Sequence, residues 1–159
     1  MSVMLLQIFE WCEATAIGSA IRNSLWLFPV IESVHLLALA MIGGALLVVD
    51  LRLLGLGLRD HPVRQLARDA QPWLVGSLLV MIATGVPLFL SESIKCYYNP
   101  SFWVKMTTLP VAIAFTFTVR RNIAMRDEAG PFSGKAVGFV SLALWFGVAA
   151  AGRWIGFSG

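Results

Sequence analysis

Four stretches, 25–49, 72–91, 101–119 and 136–157, are apolar and about 20 residues long, enough to cross a hydrocarbon layer about 30 Å thick as helices. This constrains the fold more than any other feature. Inside lipid every backbone N–H and C=O must find its partner within its own segment or in a closed barrel. The runs show no alternation of period two, which excludes the barrel. The expected fold is all-α: a single integral-membrane domain over 1–159 built as a four-helix bundle. Residues 1–22 are too polar to span, because Gln7, Glu10 and Glu13 interrupt them. Those three fall on one helical face and Leu5, Ile8, Phe9 and Cys12 on another, the pattern of an interfacial amphipathic helix rather than a signal peptide. Composition agrees, at 58% hydrophobic and 13% charged, against about a quarter charged in soluble domains. Few residues remain for a soluble catalytic module, so the chain is not expected to be an enzyme.

Basic residues set the expected orientation. The loop after the first run carries Arg52, Arg59, Arg64 and Arg68, and the loop after the third carries Arg120, Arg121, Arg126 and Lys135; the opposite side has Arg22 and Lys95. The bias puts the arginine-rich loops in the cytoplasm and both termini outside, in the periplasm if the membrane is a bacterial inner membrane. The net charge of +3 is spread over short loops and forms no stripe, so nucleic acid is excluded as a partner. Two cysteines without a CxxC motif exclude a disulfide framework, a Cys-rich zinc module and covalently attached haem.

Of the charged residues only Glu32, Lys105 and Arg153 fall inside the four runs. At a rise of about 1.5 Å per residue, Glu32 and His35 lie roughly 10 and 15 Å below the outer end of the first span. Lys105 and Arg153 lie roughly 6 Å below the outer ends of the third and fourth. Ionisable side chains at such depth face the bundle interior, pair with one another and mark a pathway or a ligand. An ion pair from Glu32 to Lys105 or Arg153 is expected. Glu32 and His35 share a helix face to which Gly43 and Asp50 return, and the Gly43–Gly44 pair offers a flat hollow for a planar ring or for another helix.

His35 is either a hydrogen-bonded core histidine or a neutral imidazole ligating haem iron or copper, with Glu32 setting its tautomer. The only other histidine, His61, follows span one in an Asp-His-Pro turn, so two-histidine ligation within one chain is disfavoured. Met81 or Lys105 is then the candidate second axial ligand, or the iron stays five-coordinate. Met41, Met81 and Met106 offer thioethers to copper(I), although mid-membrane methionines more often fill gaps.

Further expectations follow. Pro87 and Pro110 predict mild kinks, each with a threonine three residues earlier, Thr84 and Thr107, to satisfy the freed carbonyl. Ala143, Gly147 and Ala151 recur every fourth residue, as at close helix contacts. Asp50 and Arg52 are expected to form an interfacial ion pair or to contact headgroups. Cys12 and Cys96 map to one side, where a bridge is possible beside the reading as two separate thiols. Tyr97, Tyr98, Phe102, Trp103, Trp154 and Phe157 read as an aromatic belt.

The segments WLFPVIESVHLLALAMIGGALLVVDLRLLG, PW at 72–73, ATG at 83–85, YYNPSFWVKM at 97–106 and SLALWFGVAAAGRWIGF at 141–157 carry a resemblance. By them the chain resembles a family of small uncharacterised four-span bacterial inner-membrane proteins, which implies the location and no reaction. More distantly, a histidine before a glycine-bearing apolar run, with a lysine opening a later span, looks like membrane proteins of the HemJ and CopD kind. That likeness implies b-type haem or copper, with His35 in the ligand position and Lys105 nearby.

The leading expectation is a non-catalytic module that holds a b-type haem near the outer face for electron transfer. Glu32, His35, Lys105, Arg153 and Met81 form its site, and a periplasmic redox partner or other membrane subunits surround it. The alternatives are an accessory subunit without cofactor and a copper-handling protein. A transporter is the least favoured, with four spans and no pair of broken helices.

Overall fold

The computed structural model describes residues 3–58, 60–126 and 131–157. Among them the regular structure is entirely helical, and four helices are long and apolar enough to cross a membrane. The chain is therefore a multi-pass membrane protein by length and composition. Two short helices come first, α1 (Val3–Glu13) and α2 (Ala16–Asn23), then the long α3 (Leu27–Leu54) and α4 (Val63–Ser91). A short α5 (Ser93–Tyr98) leads into α6 (Pro100–Phe115), which runs through a π-helical turn (Thr116–Arg120) into α7 (Arg121–Ala124); α8 (Pro131–Phe157) closes the bundle.

Helix limits overshoot the apolar runs where an amphipathic turn finds a neighbour. α4 begins at Val63 rather than 72, because Val63, Leu66, Ala67 and Ala70 pack against Val49, Leu53 and Ala124 at the arginine-rich end. α3 stops where Gly55 adopts a left-handed φ of 77°, and its N–H and that of Leu56 close back on the Arg52 and Leu51 carbonyls. Between the two ends lies an apolar centre of Ala38, Ile42, Leu46, Leu74, Leu78, Met81, Ala112, Trp145 and Val148.

The segment 1–22 is not one helix. It breaks at Ala14–Thr15, where the Thr15 hydroxyl accepts the Gly18 N–H at 3.2 Å and so caps α2. Both short helices dock on the bundle end. Phe9 is buried among Phe89, Tyr97, Phe102 and Trp103, whereas Ile8 of the same apolar face stays exposed. Arg22 fastens the arrangement: it donates to the Ser91 carbonyl at 3.1 Å and the Glu13 carbonyl at 3.0 Å, and pairs with the Glu13 carboxylate at 3.5 Å. Glu13 in turn accepts the Ile94 N–H at 2.7 Å. Gly18 lies so close to the Leu90 carbonyl that a Cβ would collide with it.

Other expectations are corrected. Thr84 donates to the carbonyls of Val80 and Met81, and Thr107 to those of Trp103 and Val104, each one turn before the carbonyl its proline frees. A threonine hydroxyl reaches back along its own helix, not forward. In α8, Ala143 is exposed and Gly147 has open space around it, so the stripe at every fourth residue does not form the contact. The close approaches come at Gly138, against the Asp50 carbonyl, and at Gly152, against Lys105. The aromatic belt is half core: Tyr97 and Phe102 are buried, while Tyr98, Trp154 and Phe157 are exposed.

Candidate functional site

Two polar clusters sit at opposite ends of α3. Nearer the aromatic end, His35 is half-buried against α4, with its Nδ1 2.9 Å from the Thr84 hydroxyl. That hydroxyl has one proton, and its 2.7 Å contact with the Val80 carbonyl uses it. The oxygen is then left to accept from Nδ1–H, and the Met81 backbone also bonds the ring; a neutral ring protonated on Nδ1 has its lone pair at Nε2. Gly85 makes this approach possible, since a Cβ there would meet His35 Cε1 at 3.2 Å.

Lys105, in the second turn of α6, lies over Gly152 of α8, where an added Cβ would stand 3.5 Å from its Nζ. It is close enough for its charge to be felt by both His35 and Cys96. Among the described residues no carboxylate lies within salt-bridge distance of Lys105. Glu32 is half-buried and enters no ion pair among them, so the expected pairing with Lys105 or Arg153 does not form. Arg153 is exposed and lies over the Phe157 ring at 4.3 Å, where the ring face offers the attraction that a carboxylate would have given. Met81 is buried in the apolar centre. Met41 and Met106 are exposed, and so are Gly43 and Gly44, whose hollow opens outward. Of the five expected site residues, Met81 bonds His35 through its backbone, and Lys105 lies within electrostatic range of the ring.

Cys12 and Cys96 are free thiols. Burial, reinforced by the Glu92 carboxylate, pushes the Cys96 thiol up to about 11, so it stays protonated and unreactive at neutral pH.

The second cluster was not expected. Asp50, fully buried, accepts from Arg120 Nε at 2.6 Å on one oxygen and from the Ser141 hydroxyl at 2.6 Å on the other. Arg120 also donates from an Nη nitrogen to the Leu46 carbonyl at 3.2 Å, and Trp145 donates to Thr116 at 2.9 Å. The π-helical turn places Thr116 and Arg120 inward together. α3, the π turn and α8 are thereby tied by one charge pair. Arg52, the expected partner of Asp50, instead donates to the His61 carbonyl at 2.9 Å. Asp50 and Arg120 each immediately follow an apolar run on the same side of the membrane. Opposite charges at matched depth were the available signal. Treating each charge as the end of a run hid it.

Among the described residues no three His, Cys, Asp or Glu side chains gather as a metal site. The comparison with known families is decisive for kinship: a family of unknown function, DUF6644, matches residues 8–158. The chain belongs to that family. No curated protein and no solved structure matches it. Membership of DUF6644 therefore brings no reaction with it, and the two clusters are the chemistry available to interpret.

Proposed function

We propose that the chain is a non-catalytic inner-membrane module that holds a b-type haem at its aromatic end and serves electron transfer. The observation that carries this reading is the His35–Thr84 bond, which leaves Nε2 as an uncommitted donor beside a lysine lacking a carboxylate partner among the described residues. His35 would hold the iron and Lys105 would offer a propionate a charge-assisted contact. When bound, haem would supply one-electron chemistry. The protein would orient it through a fixed tautomer and shield it with the aromatic cluster around Phe9. Met81 is packed in the apolar centre and His61 lies at the other end, so His35 is the residue that would hold the group. Copper is less well served, because Met41 and Met106 are exposed and Met81 is packed in the apolar centre. The excess of basic residues around the Asp50 end favours the cytoplasm for that end and the periplasm for the termini and the redox partner.

Optical spectra of protein purified from haem-replete cells test the reading. A Soret band that disappears in His35→Ala is expected. No band, or one unchanged by that substitution, refutes it. A second reading, an accessory subunit without cofactor, is favoured by one feature. α1, clamped through Arg22, leaves Met4, Ile8 and Trp11 exposed along one face, a surface for another membrane subunit. That reading predicts a stoichiometric complex in mild detergent, and isolation as a monomer would count against it.

A further inference from the structure

The bundle is not closed evenly. α3 packs along α4 and α8, and α8 along α6, but α4 and α6 barely touch; toward the arginine-rich end α4 meets the short α7 on that side. A lateral cleft remains there, holding a cavity of about 20 Å³, room for one oxygen-sized group. Ala67, Ala70 and Gln71 of α4 form one wall, and Thr116, Arg120 and Arg121 the other.

Arg120 is the unusual member. It is 5% exposed, and it bonds through Nε to Asp50 and through one Nη nitrogen to Leu46. The other Nη nitrogen has no partner among the described residues, yet no fully buried polar side-chain atom is left unsatisfied. That nitrogen therefore reaches open space, and the cleft that Arg120 lines supplies it. Asp50 already balances one positive charge, so a neutral guest would suffice for Arg120 alone. Arg121, exposed at the cleft mouth, adds a cation that the pair does not balance. A guest with an anionic oxygen small enough for the cavity, and a body that remains outside it, satisfies both.

We propose that this cleft binds the phosphate of an anionic phospholipid from the leaflet facing the arginine-rich end. One phosphate oxygen enters toward Arg120 and Gln71, and the rest of the group rests against Arg121. The alanine wall keeps the opening clear, and the acyl chains run along the lipid-facing surface beside it. A basic pocket between transmembrane helices offers a headgroup both charge and directed donors, which a flat basic surface cannot.

The full chain in nanodiscs of equal parts phosphatidylglycerol and phosphatidylcholine provides the test, with retained lipids counted by native mass spectrometry. Wild type is expected to retain phosphatidylglycerol over phosphatidylcholine by about fivefold or more, the effect of roughly one well-placed arginine. Ala70→Leu, which fills the cleft, and Arg121→Gln, at an exposed position, should each bring the ratio close to one. Arg68→Gln, exposed on the same end but outside the cleft, should leave it unchanged. Equal retention of both lipids by wild type overturns the proposal. So does a preference that survives Ala70→Leu, or one that Arg68→Gln lowers as much as Arg121→Gln. Excess inorganic phosphate separates the sources: if it abolishes the preference, the site takes free phosphate and the lipid assignment falls.

Discussion

Replacing Asp50 by Asn is the sharpest perturbation the structure offers. The substitution keeps the side chain's shape and removes its charge, leaving the Arg120 guanidinium buried at 5% exposure with no counterion. Breaking a buried pair from one side costs about 3–5 kcal/mol, most of it the uncompensated charge rather than the lost contact. Removing both charges avoids that penalty. Asp50→Leu combined with Arg120→Met is therefore expected within about 1 kcal/mol of wild type, or more stable. Ser141→Ala removes one hydroxyl from the carboxylate and should cost about 1.5–3 kcal/mol, because the acceptor is charged. Reversible unfolding by SDS titration from mild detergent, followed by far-UV circular dichroism, measures all of these. A double-mutant cycle on Asp50 and Arg120 should return a coupling of about 3 kcal/mol or more. An Asp50→Asn loss below about 1 kcal/mol would sink the argument, since an ordinary surface change does as much. A double variant far less stable than Asp50→Asn alone would do the same.

Three other outcomes are expected. Gly18→Ala drives a methyl into the Leu90 carbonyl; a loss of about 1–3 kcal/mol in the docking of α2 is expected, read as faster proteolysis within 14–25, and unchanged cleavage would refute the contact. Thr84→Val removes the acceptor that holds the His35 proton on Nδ1. Nitrogen-15 shifts of the ring should show that tautomer in wild type and a mixture in the variant, independently of any cofactor, and an Nε2-protonated wild-type ring contradicts the assignment. The Cys96 thiol, raised from 9.0 to about 11, should resist maleimide at neutral pH while Cys12 reacts. Because its folded-state pKa is the higher one, its contribution to stability is complete below about pH 9 and is lost as pH rises toward 11; equal labelling of both thiols at neutral pH would be the contrary result.

The transmembrane architecture was legible because lipid leaves the backbone so few choices that hydropathy and length alone mark the spans. Helix ends were less so: α4 reaches back to Val63 through an amphipathic turn whose value depends on Val49 and Leu53, far away in sequence. The break at Thr15 carried a local sign, a threonine three residues before Gly18, but the docking of Phe9 and the Arg22 clamp are tertiary facts. At the candidate site, depth placed His35 and Lys105 within reach of each other's charge. It said nothing of rotation about each helix, and rotation is what turns Arg153 out to Phe157 and leaves Glu32 without an ion pair among the described residues. Thr84, which fixes the imidazole, was read as a helper of Pro87 because proximity in the chain suggested it.

The apolar centre has a further consequence. His35 and Asp50 are fifteen residues apart on α3, roughly 22 Å along the axis, and the packing between them comes from side chains such as Ile42, Leu46, Leu78 and Val148. The buried Ser77 hydroxyl in this stretch turns back to the Trp73 and Leu74 carbonyls of its own helix. The imidazole at one end and the charge pair at the other are thus held apart by uncharged packing. Sidedness, on this view, is built into the middle of the molecule rather than into either end.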